Sequence, residues 1–154
     1  MDYLLVKWLH VLSSTVLFGT GIGTAFYLLM ASLSRDVALT AGVARWVVRA
    51  DWLFTGTTAI LQPVTGLWLA HRAGFPLSAD WLLTSIWLYA LAIACWLPVV
   101  WLQMRLRDLA AEALRQGQAL PPAYWRCFRW WCALGVPALG ALLAVFWLMV
   151  AKPA

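Results

Sequence analysis

Apolar residues run along this chain in four long stretches, separated by short polar breaks. The stretches cover about 3–31, 52–70, 81–102 and 130–151, and the first is interrupted only by Lys7, His10 and small hydroxyl residues. At ~1.5 Å of rise per residue each of the last three is near the ~30 Å of a bilayer hydrocarbon core, and the first exceeds it and must tilt or project. Two of the breaks carry helical periodicity of their own. Val37, Val43, Trp46 and Val47 recur at helical spacing within 36–49, and Leu106, Leu109 and Leu114 do so within 105–115, which predicts interfacial helices there. Between Gln116 and Pro122 the helix must stop, because Gly117 and the Pro121-Pro122 pair cannot continue it. No internal repeat stands out. The pattern predicts an all-α integral membrane protein, a four-transmembrane-helix bundle forming a single domain over 1–154, with the bilayer in the role of the core.

Composition and charge sharpen this picture. Of the 154 residues 64% are hydrophobic and only 11% charged, a balance that excludes an ordinary water-soluble domain. The net charge of +5 would suggest nucleic acid as the partner of a soluble protein. Here the basic residues occupy the breaks, so the expected partner is the lipid bilayer, with no nucleic acid. Arg35, Arg45 and Arg49 fall in the first connection and Arg105, Arg107, Arg115, Arg126 and Arg129 in the third, against Lys7, Arg72 and Lys152 elsewhere. The positive-inside rule retains those two connections in the cytoplasm and puts both termini on the periplasmic side of a bacterial cytoplasmic (inner) membrane. Asp2 precedes the first apolar run and no basic segment leads it, so that run is expected to stay in the protein rather than be cleaved as a signal peptide. Cys95, Cys127 and Cys132 make no CxxC motif, and an odd count describes no disulfide framework.

Chemistry is sparse. No Ser/His/Asp set, buried carboxylate pair or phosphate loop is present, so hydrolysis lacks its parts. The two histidines are His10 in the first stretch and His71 at the end of the second, both toward the expected outer face. His10 lies about 10 Å into its helix, where an ionisable ring needs a partner. It is either a neutral imidazole hydrogen-bonded to a neighbouring helix or an axial ligand to haem iron. Lys7, three residues earlier on nearly the same face, would meet a haem propionate or snorkel to the headgroups. His71 and Arg72 would supply a second axial ligand and a second propionate partner, or simply line a wet interface. Met149 is a weaker candidate for a sixth ligand. Thr55, Thr58, Gln62 and Thr65 share one face of the second stretch, with Pro63 bending it; interhelical hydrogen bonding and a proton or ion path are the two readings. Gly19 and Gly23 have the spacing of a close helix contact, within the chain or in a homodimer. Many of the 12 Trp mark predicted helix ends, while Trp87 and Trp96 lie deeper, where they line a cofactor or pack the core.

The opening Leu5-Val6-Lys7-Trp8-Leu9-His10-Val11-Leu12, together with the run from Cys95-Trp96-Leu97-Pro98 to Gln103-Met104-Arg105, resembles a bacterial family of predicted integral membrane proteins (domain of unknown function 2269) over nearly the whole chain. The Lys-x-Leu-His opening, with the Pro63 to Gly66 and Trp81 neighbourhoods, is also similar to the haem-containing membrane protoporphyrinogen oxidases and, more distantly, to the copper-resistance D membrane proteins. In the oxidase family the first-helix histidine is associated with haem, and the resemblance implies that role for His10. Where that family has a Pro-Arg pair in the first helix this chain reads Ala25-Phe26, and Ser85 stands in place of a third-helix lysine. The resemblance therefore implies haem binding and not porphyrinogen oxidation. The leading expectation is a small b-type haem protein carrying electrons near the periplasmic face, with a membrane redox partner or quinone, His10 and His71 as iron ligands and Lys7 and Arg72 as propionate partners. A copper or proton transporter and a cofactor-free accessory or assembly subunit are the alternatives.

Overall fold

The computed structural model describes residues 2–152, and all regular structure in them is helical. The elements are α1 (Asp2–Leu33), α2 (Val37–Ala50), α3 (Gly56–Arg72), α4 (Asp80–Arg115) and α5 (Pro122–Ala151); a π-helical turn, Asp51–Thr55, joins α2 to α3 without a break. Three of the helices, α1, α4 and α5, are long and apolar enough to cross a membrane, and α3, with 17 residues, is shorter.

Side chains are distributed inside out relative to a water-soluble bundle. Trp52, Ile60, Val64, Trp87, Trp147 and Val150 are each more than half exposed, while Ser13, Asp51, Thr55, Thr58, Gln62 and Gln103 are buried. Apolar side chains outside and polar ones gathered within are what a hydrocarbon solvent selects.

The connections follow from local chemistry. After α1, Arg35 adopts a left-handed conformation (φ 59°), and Asp36 then caps α2 by accepting the Leu39 N–H at 3.0 Å. Both α3 and α4 end in the same glycine-closed turn. Gly74 (φ 74°) and Gly117 (φ 62°) take the left-handed position, and the next residues, Phe75 and Gln118, each donate an N–H at 2.9–3.0 Å to Ala70 O and Ala113 O. Pro122 opens α5, where its missing N–H costs nothing.

The helix expected over 36–49 is α2, which runs on through the π turn into α3; the one expected over 105–115 is not a separate element but the last part of the 36-residue α4. The reason is that neither join contains a residue that stops a helix, and an α-helix continues until one does. For the same reason α5 starts at Pro122, ahead of the apolar run at 130.

The arginine-rich end of the bundle is closed. There α2 packs on α4 and α4 on α5 around Leu28, Val47, Leu102, Leu106, Tyr124 and Phe128. Ser32 Oγ spends its hydrogen on Leu28 O at 2.7 Å, so the fully buried Tyr124 hydroxyl donates to Ser32 at 2.6 Å and ties α1 to α5. Toward the end that carries both termini, the α1–α3 pair and the α4–α5 pair diverge around a cavity.

Candidate functional site

His10 sits on α1 facing α3. Its Nδ1 lies 2.7 Å from Thr65 Oγ1, and the Thr65 hydroxyl itself is 2.7 Å from Leu61 O. A hydroxyl has one hydrogen: with that hydrogen on Leu61 O the imidazole donates from Nδ1 and keeps a lone pair on Nε2, and with it on Nδ1 the imidazole accepts. The backbone around the ring is held as firmly: Gln62 Nε2 donates to His10 O at 2.8 Å and to Ser13 Oγ at 2.5 Å, and Ser13 Oγ donates to His10 O at 3.1 Å. Gly66 makes room for the ring: a Cβ there would lie 3.1 Å from His10 Cε1, so the imidazole would have to give by a few tenths of an ångström.

Pro63 makes the next feature necessary. Without an N–H it leaves the Ala59 carbonyl, one turn earlier, without its helical partner. The Tyr89 hydroxyl of α4 donates to Ala59 O at 2.7 Å and repairs that loss, which in a membrane interior is a strong constraint. Tyr89 thereby joins α4 to α3 beside the cavity.

The cavity has a volume of about 520 Å³ and is mostly apolar, with Phe18, Trp81 and Met149 among its walls and Lys7, His10, Gln62 and Tyr89 among its polar groups. Lys152 reaches its rim with the ammonium 5.2 Å from the Phe75 ring centre and 5.9 Å from that of Trp81. A concave, largely apolar space with a few convergent polar groups suits a small amphipathic ligand.

Of the residues singled out from the sequence, His10 and Lys7 meet on this cavity, and so does Met149. His71 and Arg72 do not: both are exposed and outside its lining, and the Arg72 guanidinium lies 5.5 Å over the Trp68 ring. Trp87 is 69% exposed and points away from the bundle. Gly19 and Gly23 are not packed on another helix of this chain, since a Cβ at either would meet nothing within 4 Å. Among the described residues no three His, Cys, Asp or Glu lie close enough together to hold a metal ion, so the copper reading finds no donor set.

Two parts of the arrangement escape the sequence reading. Lys152 and Tyr89 come to the cavity only through tertiary structure. Asp51 was passed over as part of a polar break, yet it is 3% exposed. Thr55 Oγ1 donates to its Oδ1 at 3.1 Å, and the Gln103 amide of α4 lies against the same carboxyl. The spacing of Asp51, Thr55, Thr58, Gln62 and Thr65, alternating four and three residues, was the available signal.

A family model described as a predicted integral membrane protein (DUF2269) matches residues 4–153 of the chain. No curated protein and no solved structure matches it.

Proposed function

This chain belongs to the DUF2269 family of predicted integral membrane proteins, and on that premise we propose that it is a b-type haem protein of the bacterial inner membrane, serving electron transfer near the periplasmic face. In this reading α3 makes the fourth crossing. The five residues of the π turn and the 17 of α3 together reach about 30 Å, the thickness of the hydrocarbon core. Both termini and the cavity mouth then face the periplasm, and the arginine-rich end faces the cytoplasm.

The observation that carries the haem reading is the contact of His10 Nδ1 with the Thr65 hydroxyl, which suits a proton on Nδ1. A ligating histidine typically gives its other ring N–H to a hydrogen-bond acceptor, and the Nδ1–H to Thr65 bond leaves Nε2 free to bind iron. The cavity's apolar walls suit a porphyrin face, and Lys7 and Lys152 are cations at its rim suited to the two propionates. When bound, the haem supplies a one-electron iron couple; the chain's own residues hold it, orient its ligand and keep lipid from its iron. His71 and Arg72, outside the lining, have no part in this reading, and Met149 replaces His71 as the candidate sixth ligand. A membrane redox partner or a quinone is the electron partner in this reading.

The test is a reduced-minus-oxidised absorption spectrum of the detergent-purified protein with pyridine haemochrome quantitation. A stoichiometric b-type signal, lost in a folded His10→Ala variant and kept in His71→Ala, is the expected result. Unchanged haem content in His10→Ala, or none in the wild type after haem-replete expression, refutes it.

A further inference from the structure

The α3 face that holds His10 continues to the other end of the bundle. Thr65, Gln62, Thr58, Thr55 and Asp51 follow one another down a single stripe, and each is no more than 9% exposed. At its far end stands a carboxyl group in a π turn, a backbone form that recurs at functional sites because its widened turn frees main-chain and side-chain groups from the regular ladder. Asp51 is held only by neutral groups, the Thr55 hydroxyl and the Gln103 amide. Gln103 is itself 4% exposed, and its Oε1 has no hydrogen-bond partner among the described residues, so it is open to accept from an acid hydroxyl or a water. The Trp96 ring lies against the same turn, 3.9 Å from where a Cβ on Gly56 would stand, and its Nε1–H is likewise buried without a partner.

Among the described residues no cation is paired with this carboxyl. The described ion pairs are Arg107 with Asp108 and Arg115 with Glu112. On α2 the nearest charges are Arg45 and Arg49, both exposed, with the Arg49 guanidinium 4.9 Å over the Trp46 ring. On α4, Arg105 is exposed; α1 carries no charged side chain between Lys7 and Arg35, and α3 none before Arg72. A buried carboxyl with neutral partners alone is cheapest as the uncharged acid, which makes it a group that can take up and release a proton.

We propose that Asp51 is a proton-exchanging site and that the buried stripe from Asp51 through Thr55 and Thr58 to Gln62 lets protons pass between the arginine-rich end and the cavity. A proton leaving the Asp51 carboxyl is replaced from the aqueous phase at the arginine-rich end, two residues from the exposed Arg49. It travels on water along the hydroxyl and amide oxygens of the stripe and leaves at Gln62, which lines the cavity, so His10 Nε2 takes no part in the path. One proton crosses and no electron moves. The proposal shares the four-crossing topology with the haem reading and does not depend on haem.

The experiment uses the full-length protein in phosphatidylcholine–phosphatidylglycerol liposomes, with a trapped pH dye and a potassium diffusion potential set by valinomycin. The wild type should acidify or alkalinise the lumen faster than protein-free liposomes do. Asp51→Asn, which keeps the size and both hydrogen-bond partners, should fall to the protein-free rate; Asp51→Glu should keep the flux and Thr58→Val should slow it. A wild-type rate equal to that of protein-free liposomes, or an Asp51→Asn rate equal to wild type, overturns the proposal. Haem content separates the two readings: Asp51→Asn should retain it in full, and flux in a wild type that binds no haem leaves the proton path standing while the haem reading falls.

Discussion

Thr65 bears on the state of His10 through a single hydrogen, which in the haem reading goes to Leu61 O. Thr65→Val keeps the shape and removes the acceptor, leaving a half-buried Nδ1–H unsatisfied at a cost of about 1–3 kcal/mol. It should lower the thermal unfolding midpoint in detergent and reduce haem retention, whereas Thr65→Ser should do neither. Tyr89 and Pro63 form a second pair whose energies are coupled. Tyr89→Phe should destabilise by about 1–3 kcal/mol, because the Ala59 carbonyl loses its donor, yet in a Pro63→Ala background the restored N–H takes that place and the same substitution should cost little. A double-mutant cycle with equal Tyr89→Phe penalties in both backgrounds would refute the repair. At this scale the sequence was partly legible. His10 was identifiable because an imidazole that deep must have a partner, and the polar face that meets it was visible as a period. His71 misled because it was judged by depth alone; at about 100° per residue it lies some 120° around α3 from Thr65, on the side away from α1. Lys152 and Tyr89 carried no local signal, since what they do is set by which helices pack together.

Helix ends were legible where a stop signal stands, as at Gly117 and Pro122, and not where one helix passes from lipid to water without a stopper, as along α4. The π turn belongs to this second kind: nothing in Asp51–Thr55 forbids regular helix, and the extra residue is accommodated because it lets Asp51 turn inward toward Gln103. Removing one lipid-facing residue there, Leu53, 63% exposed, should restore α-helical bonding without turning the stripe of α3 away from α1. The deletion variant should fold and keep the His10 site while losing proton flux; loss of haem as well would mean that the turn sets the register of α3. The glycines of α1 make the opposite point. With nothing within 4 Å of an added Cβ, Gly19→Ala and Gly23→Ala should leave the unfolding midpoint of the monomer unchanged or raise it. A marked loss of stability in either would show that this face is covered by another copy of the chain.

For the whole molecule, one asymmetry organises both proposals: the bundle is closed at the arginine-rich end by α2, α4 and α5 and open at the end with both termini, so sidedness in the membrane decides what the cavity and Asp51 each face. In the proposed topology the open end lies outside, as the positive-inside rule predicts from the lysines and arginines concentrated in the two connections at the closed end. Single cysteines at Ser78 and Gln118, both exposed in connections at opposite ends, test this in a background with Cys95, Cys127 and Cys132 replaced by alanine. A membrane-impermeant maleimide added to intact spheroplasts should label Ser78→Cys at once and Gln118→Cys only after permeabilisation. Labelling of both from outside would rule out a crossing by α4, and labelling of Gln118→Cys alone would invert the protein. Inversion would leave the geometry at His10 untouched but move the cavity to the cytoplasm and expose Asp51 to periplasmic protons, so the direction of any coupled proton movement would reverse. The labelling pattern therefore fixes which aqueous phase each end of the proton path meets before any flux is measured.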